Sequence, residues 1–176
     1  MKLILGSTNR IDPYHFRWVD DTWSKVDKYF DDVGVINMDA TALDFPDDSV
    51  EAIYASHLLE HFSYRKVPDI LKHWYNKLQP EGWLHINVPD LQWFAKTLLQ
   101  MINKEEFEGK YYTDPAYLIG MMVYGSHEHE GEYHKAGFIK ETLEGFLKDA
   151  GFVDIEIVQE FEAHQLGCLI ADAYKP

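Results

Sequence analysis

Two groups of histidine and carboxylate side chains stand close enough along the chain to share chemistry. The first is His57-Leu58-Leu59-Glu60-His61, an H-x-x-E-H pattern. On a helix, histidines at i and i+4 share one face and could hold zinc, with Glu60 as the base, as in inverted zinc proteases. Such enzymes need a third ligand on a supporting helix in a larger catalytic domain, whereas this motif follows a short buried strand. His57 therefore reads as a pocket residue, and His61 as a partly buried packing histidine. The second group is His127-Glu128-His129-Glu130 with His134. A loop could gather these around a metal. The stronger use is proton transfer, because a histidine near its natural pKa can accept a proton from a hydroxyl, amine or acid.

The elements that must position these residues begin with the stretch from Asp39 to Phe62. Phe45-Pro46-Asp47-Asp48-Ser49 is turn chemistry, and Val50 to Ala55 is an apolar run suited to a strand covered on both faces. Ser56 then stands where it could cap a helix carrying His57, Glu60 and His61 on its first turn. Upstream, Lys2 to Leu5 reads as a first strand, stopped by Gly6-Ser7-Thr8-Asn9. A glycine in that loop lets backbone amides approach a ligand. Phe16 to Asp20 reads as a short second strand ending at Asp20-Asp21, Thr22 to Phe30 as a helix, and Val35 to Met38 as the third strand.

Downstream, Val67 to Leu78 is an amphipathic helix, stopped by the turn that ends at Gly82. Trp83 to Val88 is the fifth strand and Leu91 to Ile102 a further helix. The pattern loosens from Asn103 to Ala136, which reads as an insertion over the carboxyl edge of the sheet. A helix over Phe138 to Ala150 and two edge strands, Ile155 to Val158 and Leu166 to Ala173, complete the chain. The tryptophans and aromatics at 74, 75, 83, 93 and 94 fall mostly on core-facing positions, so packing explains them.

The bulk properties narrow the partners. With 176 residues, the chain is long enough to bury a full sheet core as one domain. A formal charge of −14 leaves nothing to neutralise a nucleic-acid backbone and disfavours an anionic membrane surface. A small-molecule or protein-borne substrate fits better. Cys168 is the sole cysteine, which excludes a disulfide framework and a cysteine-based metal centre. The opening MKLILGSTNR has too short an apolar run for a signal peptide. A cytoplasmic location is expected, and a homo-oligomer is compatible with the composition.

The text from Asp39 to His61 resembles the middle of class I S-adenosylmethionine (SAM)-dependent methyltransferases, in the type 11-like group. So does the Leu78-x-Pro80-x-Gly82-x-Leu84-x-Ile86-x-Val88-Pro89-Asp90 pattern. Tyr124-Gly125 and His134-Lys135-Ala136-Gly137-Phe138 are similar to a small bacterial subgroup of it. The resemblance implies a Rossmann-like α/β fold, with a mostly parallel central sheet flanked by helices and an inserted cap at about 103–136. It implies SAM as cofactor and a small-molecule or sugar-like methyl acceptor. Gly6, Ser7 and Thr8 would then hold the methionine part, Asp20 or Asp21 the ribose, and Asp39-Ala40 the adenine. Ser56 and His57 would lie beside the transferred methyl, and His134 would take a proton. No residue is assigned to a metal.

Two positions depart from the relatives' pattern. Thr8 stands where a second glycine is expected, and Ser126-His127 replaces Gly-Gln. These departures favour an alternative, a non-catalytic protein of the same fold with weakened SAM binding. A metal-dependent hydrolase using the histidine-rich loop is the third reading.

Overall fold

The structure is a computed structural model that describes residues 1–6, 21–29, 33–103, 114–161 and 167–176. In chain order its main elements are β1 (Lys2–Leu5), β2 (Trp23–Asp27), β3 (Val35–Asn37), β4 (Val50–Ser56), α1 (Val67–Lys77) and β5 (Leu78–Pro89). Then come α2 (Leu91–Ile102), α3 (Pro115–Ile119), α4 (Lys140–Ala150), β6 (Val153–Phe161) and β7 (Gly167–Tyr174). One seven-stranded sheet runs in the order β3-β2-β1-β4-β5-β7-β6. The first five strands pair in parallel, and β7 lies antiparallel between β5 and β6. This is the Rossmann-like α/β arrangement expected of the class I methyltransferase fold. None of the described helices is long and apolar enough to cross a membrane.

The central strands follow from their sequences. β4 buries Val50 and every residue from Ala52 to Ala55, as a strand with both faces covered should. On one face, α1 presents Val67, Ile70, Leu71 and Trp74 to the sheet, with α4 beside it adding Leu143 and Leu147. Proline in the first turn of α1 is tolerated because an N–H there has no helical partner. α4 ends at Gly151, whose φ of 108° is the left-handed terminator that glycine adopts without cost. On the opposite face, Ile4, Trp23, Ala52 and Tyr54 cluster with Trp83. There the His85 ring stacks on Tyr54 at 4.8 Å, and its Nδ1 lies 2.8 Å from Asp172.

Three expectations change. Thr22–Phe30 is not a helix; its centre is β2, with Lys2 to Leu5 of β1 in register with Trp23 to Val26. Long-range pairing overrides the local helical spacing of Trp23, Val26 and Phe30. Ser56 is the last residue of β4 and pairs with Asn87, so it caps no helix. His57 takes a left-handed φ of 48°, and its N–H donates to the Asn87 carbonyl at 2.9 Å. The chain then makes only a 3-10 turn, at Leu59–His61. Finally, α1 passes directly into β5 at Leu78, and residues 79–82 bulge where the β4–β5 register shifts. The expected second strand at Phe16–Asp20 lies outside the described residues.

Candidate functional site

The strand order reverses between β1 and β4, and open α/β sheets place ligands beyond the carboxyl ends of strands at such a switch point. Gly6 follows β1 there. Its φ of 70° is one that glycine favours, and its N–H donates to the Val26 carbonyl at 2.9 Å. A Cβ on Gly6 would come within 2.9 Å of Leu58 Cδ1, so the loops after β1 and β4 close on each other.

Beside Gly6 stands Asp27, the last residue of β2 and only 8% exposed. Its carboxylate accepts the Tyr29 N–H at 2.7 Å, and its carbonyl accepts the Met38 N–H at 3.1 Å. These bonds join the ends of β2 and β3.

After β3, Asp39 organises a tight turn. One carboxylate oxygen accepts from the Thr41 N–H at 2.9 Å and its hydroxyl at 2.7 Å. The other accepts from Lys28 Nζ at 2.9 Å. Burial pushes the Asp39 carboxyl up, but Lys28 and Thr41 outweigh it and hold the group below its ordinary value. The Ala40 carbonyl accepts from the buried Trp74 indole at 2.8 Å, which anchors this turn to α1.

Gly6, Asp27, Met38, Asp39, Ala40 and Leu58 line a cleft of about 310 Å³. A second cleft of about 260 Å³ adjoins it, sharing Gly6, Asp27, Tyr29, Leu58 and His61. Its own walls include His57, Glu60, Met121, Met122, Ser126 and His134. The segment after α3 reaches it through a single π-helical turn at Gly120–Tyr124. Gly125 then takes a φ of 83°, and a Cβ there would overlap the Glu132 carbonyl oxygen at 1.9 Å.

At the floor of the second cleft, Glu60 is 1% exposed. His57 Nδ1 donates to Glu60 Oε1 at 3.1 Å. The Glu60 carbonyl accepts the N–H groups of Lys135 and Ala136 at 2.8 and 3.0 Å, which seats His134 beside it. The rings of His61 and His134 meet edge to face at 5.0 Å. Burial pushes the Glu60 carboxyl up, but the His57 hydrogen bond and the three imidazoles hold it below its usual value. Burial also lowers His134 against the opposing pull of Glu60. Glu60 therefore leans toward its ionised form and His134 toward its neutral one, an arrangement able to accept a proton or hold a cation.

Gly6, Asp39 and Ala40 converge on the first cleft, and His57 and His134 on the second. Ser56 is half-buried at the end of β4 and lines neither. Asp21 is exposed ahead of β2, at the amino edge of the sheet, away from Gly6. Ser7, Thr8 and Asp20 lie outside the described residues. The histidine-rich loop does not gather as a set. His127 packs on Tyr133, and His129 on Tyr29 with its Nε2 3.3 Å from Glu132. Sequence reasoning missed Asp27 and gave Glu60 no role outside a zinc protease. The signal for Asp27 was its place 21 residues after Gly6, close to the spacing of about 20 at which Rossmann-type proteins carry a ribose-binding acid.

Residues 17–86 match the methyltransferase domain family. No curated protein matches the chain in sequence. Among solved structures, a SAM-dependent methyltransferase from Archaeoglobus fulgidus is similar with a TM-score of 0.58 at 19% identity, over 87% of this chain and 76% of that one. A SAM-dependent methyltransferase from Methanosarcina mazei gives 0.56 at 14% identity, over 87% and 82%. The 1,6-didemethyltoxoflavin-N1-methyltransferase of Burkholderia thailandensis gives 0.56 at 16% identity, over 98% and 70%. At these identities the likeness is one of fold. Residues 17–86 thus match the methyltransferase domain family in sequence, and the described chain has the fold of the class I SAM-dependent methyltransferases.

Proposed function

We propose that the protein transfers a methyl group from SAM, held in the first cleft, to a small-molecule acceptor in the second. The observation that carries this reading is the pair of adjoining clefts, which share Gly6, Asp27 and Leu58 at the switch point of the sheet. Asp27 takes the ribose hydroxyls, as an acid at the end of a second strand does in Rossmann-type sites. The turn from Met38 to Ala40 borders the adenine. Gly6, with Ser7 and Thr8 after it, holds the methionine end and points the sulfonium toward the shared wall.

Methyl transfer asks little of the protein beyond an acceptor aligned with the sulfonium and shielded from water. His57 and His134 border the second cleft, and a neutral His134 can take the proton of a hydroxyl or amine as it is methylated. Residues 114–136, the described part of the expected insertion, act as a cap and shape the acceptor space. A small acceptor suits a cleft of about 260 Å³. The Burkholderia neighbour, solved with 1,6-didemethyltoxoflavin and S-adenosylhomocysteine (SAH), is an instance of such a pairing on this fold.

Titration calorimetry with SAM and SAH tests the reading. Both should bind one to one, and saturation at a hundred times Kd should stabilise the protein by about 2.7 kcal/mol. Folded protein that shows neither heat nor a melting shift with millimolar SAM or SAH would overturn it, and would leave the non-catalytic alternative.

A further inference from the structure

We propose that Glu60, His61 and His134 form a three-ligand site for a divalent transition-metal ion, with zinc the first choice. One ligand-type atom from each lies within 4.8 Å of the others, the one such convergence among the described residues. Ligands about 2.0–2.2 Å from a tetrahedral zinc stand roughly 3.3–3.6 Å apart. A contraction of about an ångström by side-chain rotation therefore closes the set.

The second observation is independent of that spacing. Glu60 Oε1 is bonded to His57, but Glu60 Oε2 is buried with no hydrogen-bond partner among the described residues. A buried carboxylate oxygen without a partner is costly and calls for an explanation. A cation between Glu60 and the two imidazoles supplies one.

The rings are also oriented as ligands. His134 Nδ1 faces the Met122 carbonyl at 3.1 Å, and His61 Nδ1 faces the Tyr133 carbonyl at 3.4 Å. Donation from Nδ1 leaves the lone pair on Nε2, the way backbone carbonyls hold metal-binding histidines in register. His57, donating to Glu60, orients the carboxylate in the same sense. Two imidazoles and one carboxylate are the protein ligands of several catalytic zinc sites, which keep a fourth position open. Here all three residues line the second cleft.

An ion so placed would occupy His134 Nε2 and take over the role given above to that histidine: it would polarise an acceptor oxygen so that a hydroxyl loses its proton to solvent before methylation. That use rests on the methyl-transfer reading; binding of the metal does not.

The test is calorimetric titration of tag-free full-length protein with Zn²⁺ alone, without SAM. One ion per chain is expected. His134→Gln, His61→Ala and Glu60→Gln should each weaken binding by at least about tenfold, the lower end of what lost outer-shell partners alone cost. His129→Ala, an exposed histidine outside the trio, should leave it unchanged. Metal-free melting curves identify any variant that fails to fold, and the remaining variants decide the matter. No stoichiometric binding, or binding that survives all folded ligand variants, or equal loss in His129→Ala, would overturn the proposal. Parallel titration with SAH separates the two readings. Zinc binding without SAH binding keeps the metal site and sinks the cofactor cleft; the reverse does the opposite.

Discussion

Asp27→Asn should weaken SAH binding by roughly ten- to a hundredfold while leaving the fold intact. Hydrogen bonds to a charged group contribute about 1.5–3 kcal/mol, and each 1.4 kcal/mol is a tenfold change. Asp27 is nearly buried at the carboxyl end of β2, beside Gly6, where vicinal ribose hydroxyls would meet a carboxyl acceptor. Asparagine keeps the side-chain oxygen that the Tyr29 N–H needs, so the turn should persist. The comparison is Asp21→Asn, which removes an acid at the amino edge of the sheet and should change nothing. Titration calorimetry on both variants reads the difference directly. Loss of binding in the Asp21 variant with none in the Asp27 variant would contradict this placement of the ribose.

The largest stability effect should come from Trp74→Ala, at about 3–5 kcal/mol by urea unfolding. Trp74 is fully buried between α1 and the sheet, and large-to-small core changes cost the transfer free energy plus the cavity. Its indole also donates to the Ala40 carbonyl, so the residue fixes the turn that borders the first cleft. Trp74→Phe separates these contributions. Phenylalanine keeps most of the packing and removes the donor, so its cost should fall well below that of alanine. A loss under about 1 kcal/mol for Trp74→Ala would mean that the core had relaxed around the site, against the close packing of protein interiors.

How much of this was legible in the sequence depended on how local its cause was. β4, α1 and α2 could be read because a buried apolar run or a helical stripe announces itself within a dozen residues; the 91–102 helix matched residue for residue. The antiparallel pair β6 and β7 was equally plain in kind, although β6 runs from Val153 to Phe161 where the sequence suggests only Ile155 to Val158. β2 was not, because Trp23 and Val26 also fit a helical stripe and only their pairing with β1 makes them a strand. That reading ended the second strand at Asp20 and Asp21, so Asp27, the last residue of β2, was not considered.

At Ser56 the sequence S-H-L-L-E-H has the look of a helix cap. The left-handed turn at His57 and its bond to Asn87 carry the chain out of the sheet instead. The trio of Glu60, His61 and His134 was hidden for another reason. His134 stands 73 residues after His61, and the sequence grouped it with its chain neighbours at 127–130. The Lys135 and Ala136 amides, both bonded to the Glu60 carbonyl, bring it back to the turn after β4.

A crystal structure of the SAH complex tests the central claim most directly. SAH should lie across the carboxyl ends of β1, β2 and β4, with its ribose hydroxyls on Asp27. Its adenine should sit between Leu58 and the Met38–Ala40 turn, and its sulfur should face the cleft that holds His57 and His134. SAH bound elsewhere, or in this cleft with its ribose away from Asp27, would contradict the account.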